Sequence, residues 1–234
     1  MNTGKLGVSV VIPALNEGEP IGDVVRQIRA TGVASEVIVV DNGSTDQTAA
    51  RAAEAGARVV AEPRRGYGRA CRAGVNSVSA GSVVVAFLDG DGSDCPEFLG
   101  ALVEPIINGR QDFVIGSRTR GQREPGSMNF QQVASGRVAG WLIRLIYGVK
   151  FTDMSPFRAI RADLLRSLGM KEETYGWNLE MQMRVAKAGL RVLEIPVKHR
   201  CRTGGVSKVS GTLRGTLVAG TRIITTFLRI AAQR

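Results

Sequence analysis

Residues 84–92 read Val-Val-Ala-Phe-Leu-Asp-Gly-Asp-Gly, an apolar run that ends in two aspartates, and this run decides the fold. A β-branched and aromatic run of this length predicts a buried strand of a parallel sheet. Ligands of open α/β sheets bind at the carboxyl ends of such strands. Because residues two apart on an extended chain point the same way, Asp89 and Asp91 can bind one hard cation. Asp-Gly pairs are also frequent in turns, so the neighbouring motifs have to decide between the two interpretations.

A second apolar run lies near the start of the chain, at residues 8–12, and predicts a first strand. It is followed by Pro-Ala-Leu-Asn-Glu at 13–17, which places Asn16 and Glu17 at the strand exit. The next segment carries apolar residues at helical spacing from Ile21 onward, so we expect a helix there. This order is typical of a strand whose carboxyl end faces a ligand.

A third run, Glu-Val-Ile-Val-Val-Asp at 36–41, again ends in a carboxylate, and Asn-Gly-Ser-Thr-Asp follows at 42–46. The side chains at 44–46 are good helix caps, and we expect at least one of them to cap the next helix. Asp41 ends a buried strand beside the other polar clusters, so we expect it to bind a ribose hydroxyl or the edge of a base.

Together these motifs resemble the family 2 glycosyltransferases of the GT-A type, in that family's order and spacing. The segments that carry the resemblance are Val-Ile-Pro-Ala-Leu-Asn-Glu (11–17), Val-Asp-Asn-Gly-Ser-Thr-Asp (40–46) and Leu-Asp-Gly-Asp-Gly (88–92). Later segments are similar to the branch that contains dolichol-phosphate mannose synthase and other polyprenyl-phosphate glycosyltransferases; they lie at 116–118, 153–158, 175–180 and 204–208. The resemblance implies a Rossmann-like α/β fold for binding nucleotide-diphospho-sugars, with a mostly parallel central sheet and helices on both faces.

The resemblance also implies an inverting, metal-dependent transfer of a sugar from a nucleotide-sugar donor. The implied donor-binding residues are Pro13, Ala14, Asn16, Glu17, Asp41, Asn42, Ser44, Arg65, Asp89 and Gly90. Mg²⁺ or Mn²⁺ would be held by Asp89 and Asp91, and the implied catalytic residues are Asp91, Glu180, Arg202 and Lys208. Two positions depart from the branch: Ser93 stands where a further metal ligand is usual, and no carboxylate pair heads the helix at Asn178.

Two basic loops suit a diphosphate. Arg64 and Arg65 precede Gly-Tyr-Gly at 66–68, which predicts a loop and helix start facing phosphates, although a solvated loop has the same pattern. Arg202 and Lys208 flank a glycine-rich segment with the composition of a lid over bound donor. A phosphate loop of the nucleotide-hydrolase type is missing from the sequence, and the residues at 13–17 do not match the loop expected of a sugar nucleotidyltransferase.

The acceptor stays open at this point. A polyprenyl phosphate already carries an anionic oxygen, so no base is needed, and Arg118 and Arg137 would position the phosphate. A soluble or lipid hydroxyl acceptor needs a general base, for which Glu180 is the candidate. Glu180 also has the i,i+4 spacing for a helix-surface ion pair with Arg184.

Charge favours phosphate-bearing partners. The chain of 234 residues has a net charge of +10, and no acidic residue follows Glu194. Because only 5% of the residues are aromatic and no nucleic-acid motif is present, we expect no nucleic-acid partner. A non-catalytic basic adaptor for acidic membranes would explain the charge but not Asp89 and Asp91. We interpret His199 as a strand-end residue beside Lys198 and Arg200, not a metal ligand.

We expect one glycosyltransferase domain over residues 1–210 and a basic amphipathic helix over 211–234. Arg214, Arg222 and Arg229 recur at near-heptad spacing, opposite an apolar side formed by Leu217, Val218, Ile224 and Leu228. This pattern suits an interfacial helix, or equally a helix packed on the domain with its arginines in water.

The localisation expected from sequence is cytoplasmic. The three cysteines, Cys71, Cys95 and Cys201, lack metal-ligand spacing and indicate reduced thiols. A second apolar helix is expected at 138–149, but Arg144 interrupts it, and neither a leader peptide nor a membrane span is predicted. A peripheral position on the cytoplasmic membrane face is compatible with the basic tail, and a homo-oligomer is left open.

Overall fold

The computed structural model describes residues 7–204, 225 and 227–231. Within them the chain forms a seven-stranded sheet in the order β3-β2-β1-β4-β6-β5-β7. All neighbouring strands run parallel except that β6 is antiparallel to both β4 and β5. The strands are β1 (Gly7–Ala14), β2 (Glu36–Asp41), β3 (Arg58–Ala61), β4 (Ser82–Phe87), β5 (Phe113–Ser117), β6 (Arg158–Arg161) and β7 (Val192–Pro196). This is the mostly parallel α/β fold that the motifs predict.

Helices cover both faces of the sheet. They are α1 (Ile21–Ala30), α2 (Thr48–Glu54), α3 (Tyr67–Asn76), α4 (Leu99–Ile107), α5 (Phe130–Tyr147), α6 (Ala162–Ser167) and α7 (Trp177–Lys187), with a 3₁₀ turn at Pro96–Phe98. Alternate residues of each strand point to opposite faces, so the central strands feed two cores. Val11 of β1 and Phe87 of β4 belong to the core under α3, α5 and α7, whereas Ile12 belongs to the core under α1 and α4.

Pro13 explains why a cavity opens at the carboxyl edge of the sheet. The predicted first strand ended at Ile12, whereas β1 continues through Pro13, which is paired with Val40 of β2. Proline has no N–H to donate, and the pairing of β1 with β4 ends at Val11 opposite Phe87. The two strands therefore separate beyond Val11, which leaves space above the end of β4.

Helix α5 starts earlier than its apolar periodicity suggests. Asn129 and Gln132 form a reciprocal capping box, so the helix begins at Phe130 instead of at 138. Gly148 closes it in the left-handed conformation, with φ 74°. Its Gly140 lies against the chain at Phe151, where an added Cβ would be 2.0 Å from the Phe151 carbonyl oxygen.

The described end of the chain packs on the domain. Phe227 and Ile230 are buried in the core below α7, and Arg229 forms an ion pair of 3.0 Å with Glu172. Leu228, expected on the apolar side of the helix, is 61% exposed, so that part of the amphipathic assignment is wrong. Packing of Phe227 and Ile230 decides which side faces inward. The boundary at 210/211, Lys208, Arg214 and Arg222 lie outside the described residues.

No helix among the described residues combines the length and the apolar character that crossing a membrane requires.

Asp112 ties three strands together through its carboxylate. It accepts hydrogen bonds from the Arg191 backbone N and Nε at 2.9 Å each, and its Oδ1 lies 3.4 Å from Arg161. These contacts, chiefly with Arg191, lower the pKa of Asp112 to about 2. The carboxylate therefore stabilises the fold above the ordinary carboxyl pKa, and this contribution is lost as the pH falls through the folded pKa.

We predict that Asp112→Asn lowers the free energy of unfolding at pH 7 by about 1–3 kcal/mol, because it replaces a charged acceptor of several hydrogen bonds. The difference from the wild type should shrink between about pH 4 and pH 2. Urea unfolding at several pH values measures it. Asp163→Asn, which removes an exposed partner of Arg161, is the control and should cost less than about 1 kcal/mol. Equal losses for the two variants would contradict the assignment.

Candidate active site

A cavity of about 670 Å³ opens at the carboxyl ends of β1, β2 and β4. Ten residues that the sequence singled out lie in its wall: Pro13, Ala14, Glu17, Asn42, Arg65, Asp89, Gly90, Asp91, Arg118 and Arg202. Segments far apart in the chain meet here because parallel strands end at one edge of the sheet. The cavity is therefore the candidate active site.

Asp89 and Asp91 both face this cavity from the loop after β4. The Tyr67 hydroxyl donates to Asp89 Oδ1 over 3.1 Å. Ser93 donates to Asp91 Oδ1 through its backbone N, at 2.9 Å, and through its hydroxyl, at 2.6 Å. Ser93, noted as a departure from the family pattern, thus holds the Asp91 carboxylate in place.

The loop after β4 concentrates negative charge. Asp94 accepts a hydrogen bond of 3.1 Å from the backbone N of Asp89. Burial raises the pKa of Asp89 above its ordinary range, and the charge of Asp91 raises it further. Burial also raises the pKa of Asp94, and the charge of Asp89 raises it further. A cation placed among these oxygens would offset the repulsion.

The oxygen ligands fit Mg²⁺ or Mn²⁺, which prefer carboxylates and water or phosphate oxygens. Among the residues that the structure describes, no group of three or more histidine, cysteine or acidic side chains could surround a metal ion. Asp89 and Asp91 would therefore hold a metal only together with oxygens from a ligand or water. This incomplete ligand set is what a site shared with a diphosphate requires.

Arg202 supplies positive charge in contact with one of these carboxylates. Its guanidinium lies 3.1 Å from Asp91 Oδ2 and 3.3 Å from Glu17 Oε1, so it links the loop after β1 to the loop after β4. Its side chain is 26% exposed. Charge-assisted contacts of this kind place a fixed positive charge where a leaving diphosphate would develop negative charge. Lys208, predicted beside it, lies outside the described residues.

Asn42 positions the basic loop before α3. Its Nδ2 donates to the carbonyls of Glu62 and Arg64, and its Oδ1 accepts from the Gly66 backbone N over 2.7 Å. Arg65 is thereby held at the cavity wall. Arg64 points elsewhere and forms an ion pair of 3.1 Å with Glu62. Of the two adjacent arginines, only Arg65 reaches the cavity.

Asn16, Asp41 and Ser44 join the first two loops, and none of them lines the cavity. The Asn16 backbone N donates to Ser44 Oγ over 2.9 Å, and the Ser44 backbone N donates to Asp41 Oδ1 over 3.0 Å. Asn16 has a positive φ of 50°, which asparagine tolerates better than most residues. The N-cap of α2 is Gln47, without a side-chain cap hydrogen bond, so the cap expected within 44–46 lies one residue too early; Asp46 still accepts a hydrogen bond of 3.0 Å from the Thr48 backbone N.

The two arginines predicted for the acceptor phosphate are separated. Arg118 lines the cavity and makes a bidentate pair with the buried Asp153, with contacts of 2.8 and 2.9 Å. Although burial opposes it, Arg118 lowers the pKa of Asp153. Arg137 lies on α5 and faces a different groove. Asn129 and Gln132, at the start of α5, line the cavity instead.

Glu180 is not placed to act as a base. It is fully buried on α7 and does not line the cavity. Both oxygens accept hydrogen bonds from the backbone N of Lys171, and Arg184 Nε donates to Oε1 over 2.9 Å. The i,i+4 pair with Arg184 is the alternative that the sequence offered, and here it lies in the core. We therefore withdraw Glu180 as a candidate base.

His199 and Tyr175 also line the cavity, a place that no motif in the sequence predicts for them. His199 is buried with its Nδ1 3.8 Å from Asp94 Oδ1. Burial lowers the pKa of His199 to about 4, so its imidazole is neutral at neutral pH. A lone histidine between two basic residues carries no pattern from which its place beside Asp94 could be predicted.

Comparison with known proteins decides the family. Residues 9–169 match the model of glycosyl transferase family 2. The protein belongs to this family. It is therefore a glycosyltransferase, as the three strand-end motifs predict, and the interpretation as a non-catalytic adaptor is wrong.

Two relatives and one solved structure illustrate the similarity. An uncharacterised glycosyltransferase of Mycobacterium tuberculosis is 41% identical over 214 residues, which cover 91% of this chain and 94% of that protein. The undecaprenyl-phosphate mannosyltransferase of Micrococcus luteus is 33% identical over 226 residues, or 90% of each chain. Glucosyl-3-phosphoglycerate synthase of M. tuberculosis, crystallised with Mn²⁺, UDP-glucose and phosphoglyceric acid, superimposes with a TM-score of 0.77 at 26% identity, over 96% of this chain and 79% of that one.

We predict that Glu180→Gln acts on stability and leaves ligand affinity unchanged. Each carboxylate oxygen faces N–H donors, so an amide NH₂ in either orientation meets a donor and leaves a buried group unsatisfied, which costs about 1–3 kcal/mol. Urea unfolding should show this loss, while calorimetric titration with UDP and Mn²⁺ should give the wild-type affinity. Glu54→Gln, on the exposed side of α2, is the control. Full stability with abolished turnover would restore Glu180 as a base.

Proposed function

We propose that this glycosyltransferase moves a sugar from a nucleotide-sugar donor to a lipid-phosphate acceptor, with Mg²⁺ or Mn²⁺ bound beside the donor diphosphate. The observation that carries the proposal is the set of groups that line one cavity: Asp89 and Asp91, Arg202 in contact with Asp91, and Arg65. A site that binds a nucleoside diphosphate with a metal needs negative oxygens to hold the metal and positive side chains to contact the phosphates.

Asp89 and Asp91 would hold the metal, which supplies positive charge to the diphosphate when bound. Arg202 adds a fixed positive charge at the same end of the cavity, where charge develops as the diphosphate leaves. Ser93 keeps the Asp91 carboxylate oriented through two hydrogen bonds. Asn42 keeps Arg65 at the wall through the loop that it anchors. Preorganised groups of this kind lower the barrier without rearranging during the reaction.

Two observations support a phosphate acceptor over a hydroxyl acceptor. The hydroxyl alternative depended on Glu180, which is buried in ion-pair and hydrogen-bond contacts away from the cavity. A phosphate monoester is anionic at neutral pH and can attack without a base. The mannosyltransferase of M. luteus, similar over 90% of both chains, is named for an undecaprenyl-phosphate acceptor. Arg118, Asn129 and Gln132 line the side of the cavity where α5 begins, and we propose that the acceptor phosphate enters there.

We predict that Asp91→Asn abolishes sugar transfer and weakens Mn²⁺-dependent UDP binding by at least about 10-fold, because it removes a charged metal ligand without removing packing. Calorimetric titrations of UDP and GDP, each with Mn²⁺ and with EDTA, measure the binding. Asp23→Asn, on the exposed start of α1, should behave as the wild type. Unchanged nucleotide affinity in EDTA, or full turnover by Asp91→Asn, would contradict the proposed metal site.

The acceptor is tested by offering three molecules in turn: a short-chain polyprenyl phosphate, the matching polyprenol and 3-phosphoglycerate. Each is assayed with a panel of UDP- and GDP-sugars as donors. We expect transfer to the polyprenyl phosphate and none to the polyprenol, because only the phosphate supplies an anionic nucleophile. Product formation is read by mass spectrometry. Transfer to 3-phosphoglycerate alone would replace the lipid acceptor by a soluble one, and transfer to the polyprenol would require a base that we have not identified.

A further inference from the structure

The outer face of α5 carries a stripe of large apolar side chains. Val138, Trp141 and Leu145 are 57%, 62% and 68% exposed. Their spacing of three and four residues puts them on one side of the helix. Ile146 is exposed beside them, and Phe130 extends the exposed surface at the start of the helix. Single exposed apolar residues are ordinary, but a contiguous stripe indicates a binding surface.

Positive charge borders this stripe on one side. Arg137 and Arg144 are two turns apart on α5, and Lys150 follows the helix; all three are exposed. None of them forms an ion pair with another residue in the described part of the chain. The sequence contains no acidic residue from 125 to 152. The charge on this surface therefore remains available to an external anion.

A groove of about 340 Å³ lies between the basic side of α5 and the chain at 150–152. Arg137, Trp141, Arg144 and Lys150 line it. Gly140 also lines the groove. It lies so close to the chain at Phe151 that an added Cβ would collide with the Phe151 carbonyl oxygen. A fourth cation in the groove, Arg120, is paired with Glu194. The groove thus combines an aromatic ring with three cations that have no acidic partner among the described residues, and phospholipid head groups with their first methylenes match this chemistry.

We propose that this face of α5 docks on an anionic phospholipid surface. Arg137, Arg144 and Lys150 bind head-group phosphates, while Val138, Trp141 and Leu145 enter the boundary between head groups and acyl chains. A second copy is a poorer partner, because a two-fold symmetric contact would bring the same cations of both copies together. A peptide partner would need acidic groups and an apolar face arranged side by side. An anionic bilayer offers negative head groups next to apolar chains everywhere on its surface.

The position of α5 connects this surface to the candidate active site. Asn129 and Gln132 cap the helix and also line the catalytic cavity. The helix therefore runs from the cavity, at its amino end, along the lipid-binding face. An acceptor whose lipid chain stays in the bilayer would present its phosphate to the cavity at that end. The delivery step rests on the proposed function, whereas docking on lipid does not.

The test is co-sedimentation with vesicles of phosphatidylcholine alone or with 30% phosphatidylglycerol, and it needs no substrate. The full chain should bind the anionic vesicles at low salt and be released at high salt, because head-group attraction is screened. Two variants separate the contributions: Val138→Ser/Trp141→Ser/Leu145→Ser removes the stripe, and Arg144→Gln/Lys150→Gln removes charge. Each should lower the partition coefficient by at least about 10-fold.

Val83→Ser/Arg166→Gln is the matched control, since both residues are exposed on other elements. It should bind vesicles as the wild type does. Calorimetric titration with UDP and Mn²⁺ is run in parallel on the triple variant, where we expect unchanged affinity. If the wild type binds vesicles but does not bind UDP, the proposed function is refuted and the docking surface is not. Intact nucleotide binding without vesicle binding would refute the docking surface alone.

Three results would overturn the inference. Vesicle binding retained by both variants would place the lipid contact elsewhere on the chain. A wild-type dimer in light scattering that Val138→Ser/Trp141→Ser/Leu145→Ser converts to a monomer, without vesicle binding, would assign the face to a second copy. Binding of a polyglutamate peptide in place of anionic vesicles, abolished by Arg144→Gln/Lys150→Gln, would assign it to an acidic protein.

Discussion

The crowding of carboxylates at the end of β4 is the constraint on which the rest of the site depends. Asp89 and Asp94 are held in a buried setting beside Asp91, and burial together with like charge raises the pKa values of the first two. An arrangement of this kind persists only if the surrounding structure fixes it and supplies compensating charge. Arg202 provides that charge by contact with Asp91, and Arg118 faces the same cavity. A divalent cation would complete the compensation.

The scaffold supplies this fixation through backbone pairing and through hydrogen bonds between the loops around the cavity. Pro13 ends the pairing of β1 with β4 and so opens the space above β4. The Asn16–Ser44 hydrogen bond and the three bonds of Asn42 join the loops that follow β1, β2 and β3. Removing loop contacts of this kind would affect the position of the cavity wall before it affected the sheet. Support and chemistry are therefore carried by different residues of the same motifs.

The second surface of the molecule follows from the way α5 is packed. Gly140 permits close contact with the chain at Phe151, and Trp141 and Arg144 of the same helix line the groove there. The same helix begins at the catalytic cavity with its capping box. The end of the chain plays a different part, because Phe227 and Ile230 pack into the core and Arg229 pairs with Glu172. The apolar face that remains available in the described residues is that of α5.

The sequence alone determined the three strands that end at the site and the polar groups at their carboxyl ends, because each strand-end motif is local and strand periodicity is a short-range property. That was enough to place Asp89, Asp91 and Glu17 at one edge of the sheet. Only the tertiary structure decided which polar residues face the cavity and which hold loops, as with Asp41 and Ser44. It also decided that Glu180 is buried and that His199 lies beside Asp94. The physical reason is that burial and pairing depend on contacts between distant segments, whereas a motif records only which residue follows which.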